Sequence, residues 1–311
     1  MIDALSKTFF GTLAGSRVLK SLASRYGMRG GHGFARRFVA GETIDEAITA
    51  ARASEAQGLA QTLDLLGESV ASAAAAGAAT DAYLAMMPRI VSAGIGRNIS
   101  IKLTQLGLDI STEVAEANLR TILTNARESG FFVRVDMENS PYVEATLGLI
   151  ERMWREGLTN VGVVLQSALK RTERDLGRVL DLGARVRLVK GAYKEPADLA
   201  WQSKADVDAA YLRLLERLLA GGQFPAIATH DPVMIAEARR MAEVSGMAPS
   251  AFEFQMLYGV RRDLQSSLVA EGFGVRVYIP YGREWFPYFM RRLGERPANV
   301  GFVLKSLLRE R

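Results

Sequence analysis

The chain of 311 residues contains no cysteine at all, which rules out disulfides and thiolate metal sites. It has only two histidines, His32 and His230, far apart in sequence, so a histidine-rich metal centre is not expected. No uninterrupted apolar run is long enough to span a bilayer. No GxxxxGK[ST] phosphate loop and no GxSxG nucleophile elbow occurs. Gly94-Ile95-Gly96 precedes a strand-like run instead of following one, so it fails the context test for a dinucleotide fingerprint. There is also no basic run with interleaved aromatics, and nucleic acid is not an expected partner.

What is present is the balance of a globular protein: 49% hydrophobic and 23% charged residues, ample for a large core. The net charge of +5 is a small excess of 39 basic over 34 acidic residues, a mild bias toward an anionic substrate, cofactor or membrane surface. The basic first thirty residues, with Asp3 as the sole acid, read as an amphipathic surface helix, with a weak transit peptide as the alternative. A glycine-rich connection follows, and Thr43 to Ala56 reads as a helix opened by a Thr43–Glu46 capping box.

From Leu59 onward, β-rich runs alternate with amphipathic helical segments: LAQTLDLL, NISIKLT, FFVRVDM, NVGVVLQ, VRLVKGAY, AIATH, FEFQML and VRVYIP. Eight strands alternating with helices predict an α/β fold, a (β/α)8 barrel, with a doubly wound open sheet as the alternative. The expected division is an N-terminal helical segment over 1–56, packed on a barrel over 57–311. Several strands carry polar residues on one face: Ser100, Lys102 and Thr104; Arg134 with Asp136; Glu253 with Gln255; Arg276 with Tyr278. A barrel interior is normally filled with branched apolar side chains, and chemistry sits at the C-terminal strand ends, so this set reads as a site, with a structural ion-pair network as the alternative. Lys102 or Lys190 alone is compatible with Schiff-base chemistry, provided burial lowers its pKa.

The last such segment is a helix after YIPYG. Phe286, Phe289, Met290 and Leu293 form an apolar stripe; Tyr288, Arg291, Arg292 and Glu295 form a charged one. Adjacent arginines match the oxygens of a carboxylate or phosphate. By itself the helix is equally a solvated face on which Glu295 pairs along the turn.

Taken in series, ISIKL, VDMEN, VVLQ, RLVKGAY, ATHD, FEFQMLYG, YIPYG and RRLGE resemble the proline dehydrogenase family, over most of the chain and in the family's order. The resemblance implies a distorted TIM-type barrel that holds FAD non-covalently at the strand ends. It implies oxidation of L-proline to Δ1-pyrroline-5-carboxylate by hydride transfer from C5 to flavin N5, with electrons passed to ubiquinone or another membrane quinone. Carried over by position, Arg291 and Arg292 grip the proline carboxylate with Lys102 as a third cation, and Asp136 orients Lys102 or an arginine. Tyr278 and Leu257 pack on the pyrrolidine ring, Glu295 sits near the two arginines, and Tyr288 is open between substrate contact and core packing. For the flavin, the resemblance assigns Arg187 to N5 and Gln166, beside Val164, to the pyrimidine edge. Lys190, Gly191, Ala192 and Tyr193 follow the ring and phosphates, Lys204 the pyrophosphate, Thr229 and His230 the adenosine end, and Gln255 is a further flavin contact. The length leaves no room for a fused aldehyde dehydrogenase, so a separate pyrroline-5-carboxylate dehydrogenase is the expected consumer of product. The expected location is cytoplasmic, with peripheral contact at the inner membrane face.

Overall fold

The computed structural model describes Met28 and residues 34–295, with only the backbone given for 34, 294 and 295. The basic N-terminal segment and His32 lie outside the described residues. Eight strands close into a parallel barrel in sequential order, as the alternation predicts. They are β1 (Ala60–Leu65), β2 (Asn98–Ile101), β3 (Phe132–Val135), β4 (Val161–Gln166), β5 (Val186–Val189), β6 (Ala226–Ala228), β7 (Glu253–Leu257) and β8 (Gly274–Tyr281).

The helices are α1 (Ile44–Glu55) ahead of β1, then α2 (Ala73–Ala93), α3 (Thr112–Glu128), α4 (Val143–Arg155), α5 (Thr172–Leu182), α6 (Lys204–Gly221), α7 (Pro232–Val244) and α8 (Arg262–Ala270) between strands, and α9 (Trp285–Glu295) after β8. Local chemistry explains where many of them start. Side chains of Thr43, Ser72, Ser111, Ser203 and Asp231 accept from first-turn amides, each cap stabilising its helix by about 1 kcal/mol. Glu46 completes the expected capping box with Thr43. Gly94 of the rejected dinucleotide motif caps the end of α2.

The strand alternation has an unusual sense. Leu63, Ile99, Ile101, Val133, Val135, Val163, Leu165, Leu188, Phe254 and Val277 point outward and join the main apolar core between strands and helices. Many inward positions are polar, among apolar ones such as Val164, Val189 and Leu257. Asp64, Ser100 and Arg134 lie side by side across β1, β2 and β3, and the next position on β4 in that register is Gly162. A Cβ at Gly162 would lie 2.8 Å from the Arg134 guanidinium and 2.5 Å from the Arg185 carbonyl, so glycine makes room for the buried arginine.

The barrel is irregular where it closes. α1 packs on β8 and β1, in the groove that the helix after β8 occupies in a regular barrel. α9 is thereby freed to form a second, smaller core: Trp285, Phe286, Phe289, Met290 and Leu293 bury against Met28, Ala35, Phe38, Val39 and Leu66. Trp285 donates to Glu42 at 3.0 Å and meets Phe286 and Phe289 edge-on. The predicted apolar stripe is therefore the face that docks α9.

Candidate active site

A cavity of about 460 Å³ opens at the C-terminal ends of the strands. Lys102 and Asp136 each stand one residue beyond β2 and β3, and Tyr278 projects inward from β8. Lys102 Nζ donates to Asp64 Oδ1 at 3.0 Å, sits 3.4 Å from Asp136 Oδ2 and reaches the Tyr278 hydroxyl at 3.4 Å. Tyr278 donates to Asp136 Oδ2 at 2.7 Å, and Arg187 Nη1 donates to Asp136 Oδ1 at 2.8 Å. The Arg187 guanidinium also lies 5.2 Å from the Tyr278 ring centroid and donates through Nε to Gln255 Oε1 at 2.5 Å.

Electrostatics follow from that packing. Burial pulls the Lys102 ammonium down, but the charges of Asp64, Asp136 and Glu68 outweigh it and hold Lys102 above its ordinary value. Burial pushes Asp136 up, and Lys102, Arg187 and the Tyr278 hydrogen bond outweigh it, leaving Asp136 below its ordinary value. A lysine so firmly protonated is no nucleophile, and the Schiff-base alternative fails for Lys102. Lys190 is likewise held by Asp208 at 2.5 Å and Asp231 at 2.8 Å.

α9 forms one wall. Tyr288, Arg291 and Arg292 line the cavity, with the Arg292 guanidinium 5.0 Å from the Tyr288 ring centroid. Tyr288 is buried in the small core as well, so packing and cavity lining are both true of it. Arg291 makes a bidentate pair with Glu68 at 2.6 and 3.0 Å, across the mouth from the β1–α2 loop. The Glu295 side chain lies outside the described residues.

On the opposite wall are Val164 and Gln166 of β4, the stretch from Lys190 to Tyr193, and Thr229 and His230. Gln166 Nε2 donates to the Glu138 carbonyl at 2.7 Å, which fixes the side chain and leaves Oε1 as its acceptor. Gly191 has φ +109°, and a Cβ there would fall 2.9 Å from that Oε1, so the backbone passes as close as it can. His230 Nε2 accepts the Leu257 amide at 2.9 Å, tying the ends of β6 and β7 together beside Leu257.

Two sets of residues picked out by sequence stand apart from this site. Arg134, Glu253 and Arg276 do not line the cavity. They form a deeper layer in which Arg276 pairs with Glu253 at 2.8 Å and donates to the Gln61 carbonyl at 2.7 Å, while Arg134 donates to the Val163 and Arg185 carbonyls. Lys204 also lies off the cavity, exposed at the start of α6 and paired with Asp208, which also holds Lys190. Sequence reading passed over three acids: Asp64, Glu68 and Glu138, the last accepting from Thr104 Oγ1 at 2.6 Å and from its amide at 3.2 Å.

A family model described as proline dehydrogenase matches residues 47–305. The chain belongs to the proline dehydrogenase family. It is accordingly an oxidoreductase that acts on proline, in the first step of proline catabolism. A proline dehydrogenase from Deinococcus radiodurans is 42% identical over 99% of this chain and 100% of its own, and proline dehydrogenase 1 from Bacillus subtilis is 40% identical over 96% and 97%. The bifunctional protein PutA of Escherichia coli is 31% identical over 86% of this chain but only 23% of its own. Among solved structures, proline utilization A from Bdellovibrio bacteriovorus inactivated by N-propargylglycine superposes with a TM-score of 0.78 at 26% identity, over 84% of this chain and 32% of that one. The proline dehydrogenases of this family share the barrel seen here, closed by eight parallel strands.

Proposed function

We propose that this chain oxidises L-proline to Δ1-pyrroline-5-carboxylate with FAD held non-covalently in the cavity at the strand ends, and that the electrons pass to a membrane quinone. The observation that carries the reading is the convergence of four cations, Lys102, Arg187, Arg291 and Arg292, with Tyr278, Leu257 and Tyr288 on one cavity.

The residues fit a flavin. Gln166, immobilised by the Glu138 carbonyl, offers an amide to the pyrimidine edge, and Gly191 removes the side chain that would stand between the backbone and a flat ring. Arg187, fixed by Asp136 and Gln255, would supply the cation beside N5, where negative charge gathers on reduction. Thr229 and His230 would hold the adenosine end, and Lys190 would hold the phosphates. Lys204 contributes at one remove, through its shared partner Asp208. When bound, the flavin supplies the acceptor, at N5, for the hydride that leaves C5 of proline.

The rest of the task falls to the protein. Arg291, Arg292 and Lys102 take the substrate carboxylate, and Glu68 yields Arg291 to it. Tyr278 and Leu257 set the ring, and Asp136 keeps Lys102, Arg187 and Tyr278 in one geometry. The small core behind α9 shuts water out of the pocket. Departure of hydride requires the amine lone pair, so the neutral amine is the reactive form. The enzyme works in the cytoplasm with peripheral contact to the membrane that holds the quinone, and a separate pyrroline-5-carboxylate dehydrogenase consumes the product.

The test is an absorption spectrum. Purified protein supplied with FAD is expected to be yellow and to bleach with L-proline in the absence of oxygen, regaining colour with a quinone. Protein that binds no FAD, or whose bound FAD ignores proline, contradicts the reading.

A further inference from the structure

The charges around the cavity cancel before substrate arrives. At the Lys102 end, Lys102, Arg187, Arg291 and Arg292 stand with Asp64, Asp136, Glu68 and Glu138, four cations with four carboxyls, while Lys190, which also lines the cavity, is paired separately with Asp208 and Asp231. The reactive form of proline, with a carboxylate and a neutral amine, is an anion. Binding it adds a negative charge to a balanced cluster that is buried around Lys102, which favours uptake of a proton by a carboxyl there.

Asp64 is the group built for this. It is fully buried and touches Lys102 through Oδ1 alone, while Oδ2 has no hydrogen-bond partner among the described residues. The Tyr278 hydroxyl is close by but spends its one hydrogen on Asp136. Asp136, held by Lys102, Arg187 and Tyr278, and Glu68, held by Arg291, are better served as anions; burial pushes the Glu138 carboxyl up too, but both its oxygens already accept from Thr104, whereas Asp64 keeps one oxygen without a partner. The three protons of Lys102 are already directed to Asp64, Asp136 and Tyr278, so a docking carboxylate must displace one of those partners. Asp64 is also faced by the Tyr83 and Tyr281 hydroxyl groups, which carry no charge.

We propose that Asp64 is a positioning residue that binds a proton when the substrate carboxylate takes its place at Lys102, so that proton and carboxylate bind together. The inference rests on the assignment of Lys102 to the carboxylate. The proton bonds to Oδ2 and comes from solvent, where the proton shed by the proline ammonium also goes. Burial pushes the Asp64 carboxyl up, Lys102 draws it back, and the Asp136 charge pushes it up again. A second neighbouring anion drives it in the same upward direction.

The probe is cyclopentanecarboxylate, which has the ring and the carboxylate but no amine to titrate, added to the FAD-loaded enzyme. Its affinity is expected to fall with rising pH, approaching tenfold per unit for one linked proton, between the Asp64 value in the free enzyme and its higher value in the complex. Asp64→Asn is neutral at every pH and should bind with an affinity that no longer depends on pH, while Glu138→Gln keeps the wild-type slope. A wild-type affinity that ignores pH, a slope that survives in Asp64→Asn, or one that vanishes in Glu138→Gln overturns the assignment while leaving the carboxylate site standing. If cyclopentanecarboxylate does not compete with L-proline, the carboxylate reading of Lys102 falls, and this inference with it. Should Asp64→Asn not fold, calorimetry of the wild type in two buffers of different ionisation enthalpy decides: proton uptake on binding supports the proposal, and none overturns it.

Discussion

The lower and upper halves of the barrel interior use the same kinds of side chain for different ends. Below, Glu253 and Arg276 pair with each other, Arg134 is bound to backbone carbonyls, and the cavity is not lined by any of them. Above, Lys102, Asp136 and Arg187 make equally short contacts, but they form the floor of a cavity whose far wall is α9. Gln255 bridges the two halves, donating to Glu253 and accepting from Arg187. The lesson is that buried ion pairs inside a barrel do not by themselves mark a site. Access does, together with donors that a ligand is able to recruit.

The sharpest way to break that comparison is to strip one acid from each half. Asp136→Ala leaves Lys102 and Arg187 short of a partner and should cost about 3–5 kcal/mol of stability, with proline oxidation lost. Glu253→Ala strands Arg276 and should cost a comparable amount, yet the folded enzyme should keep its half-saturating proline concentration. Denaturant midpoints and proline titrations read both, and a changed proline requirement in Glu253→Ala would erase the distinction between the layers.

Gly191→Ala forces a side chain into a positive-φ position and against Gln166. Strain of about 1–3 kcal/mol is expected, appearing as weaker retention of FAD on dilution while the fold persists by circular dichroism. Glu68→Gln removes an exposed partner of Arg291, worth at most about 1 kcal/mol, and frees the guanidinium for substrate. The half-saturating proline concentration should fall by up to about fivefold, with little change in unfolding temperature. The smallest effect concerns acid stability. Asp136 lies below its ordinary value of 3.8 in the folded chain, so its contribution is full above that pH and lost as the pH falls through the lower folded value. The acid limb of the unfolding curve should therefore be shallower in Asp136→Asn than in the wild type.

Much of this was legible in the residues themselves. β-rich runs marked all eight strands, and period-two alternation in several of them put Lys102, Asp136 and Tyr278 on one polar face, because a strand's side-chain direction is a local property. The same alternation in LAQTLDLL carries Thr62 and Asp64 inward, so Asp64 was within reach as the one acid in an apolar strand. Glu68 was not. It sits in a loop with no periodicity, and its role depends on Arg291, 223 residues away. The α9 face shows the same limit: spacing separates the apolar stripe from the charged one, yet a solvated face and a cavity wall have identical spacing. Only the series of family motifs pointed to the wall. Polar face alone likewise grouped Arg134, Glu253 and Arg276 with the cavity residues, since alternation reports direction and not depth.

The central claim is that the cations meeting at the cavity hold the carboxylate of proline. The measurement that tests it most directly is anaerobic titration of the FAD-loaded enzyme with L-proline, comparing wild type with Arg292→Met. Loss of one charged partner of a buried carboxylate costs about 2 kcal/mol or more, so half-bleaching should require about thirtyfold more proline or beyond, with the flavin content unchanged. Half-bleaching at the wild-type concentration would mean that α9 does not touch the substrate.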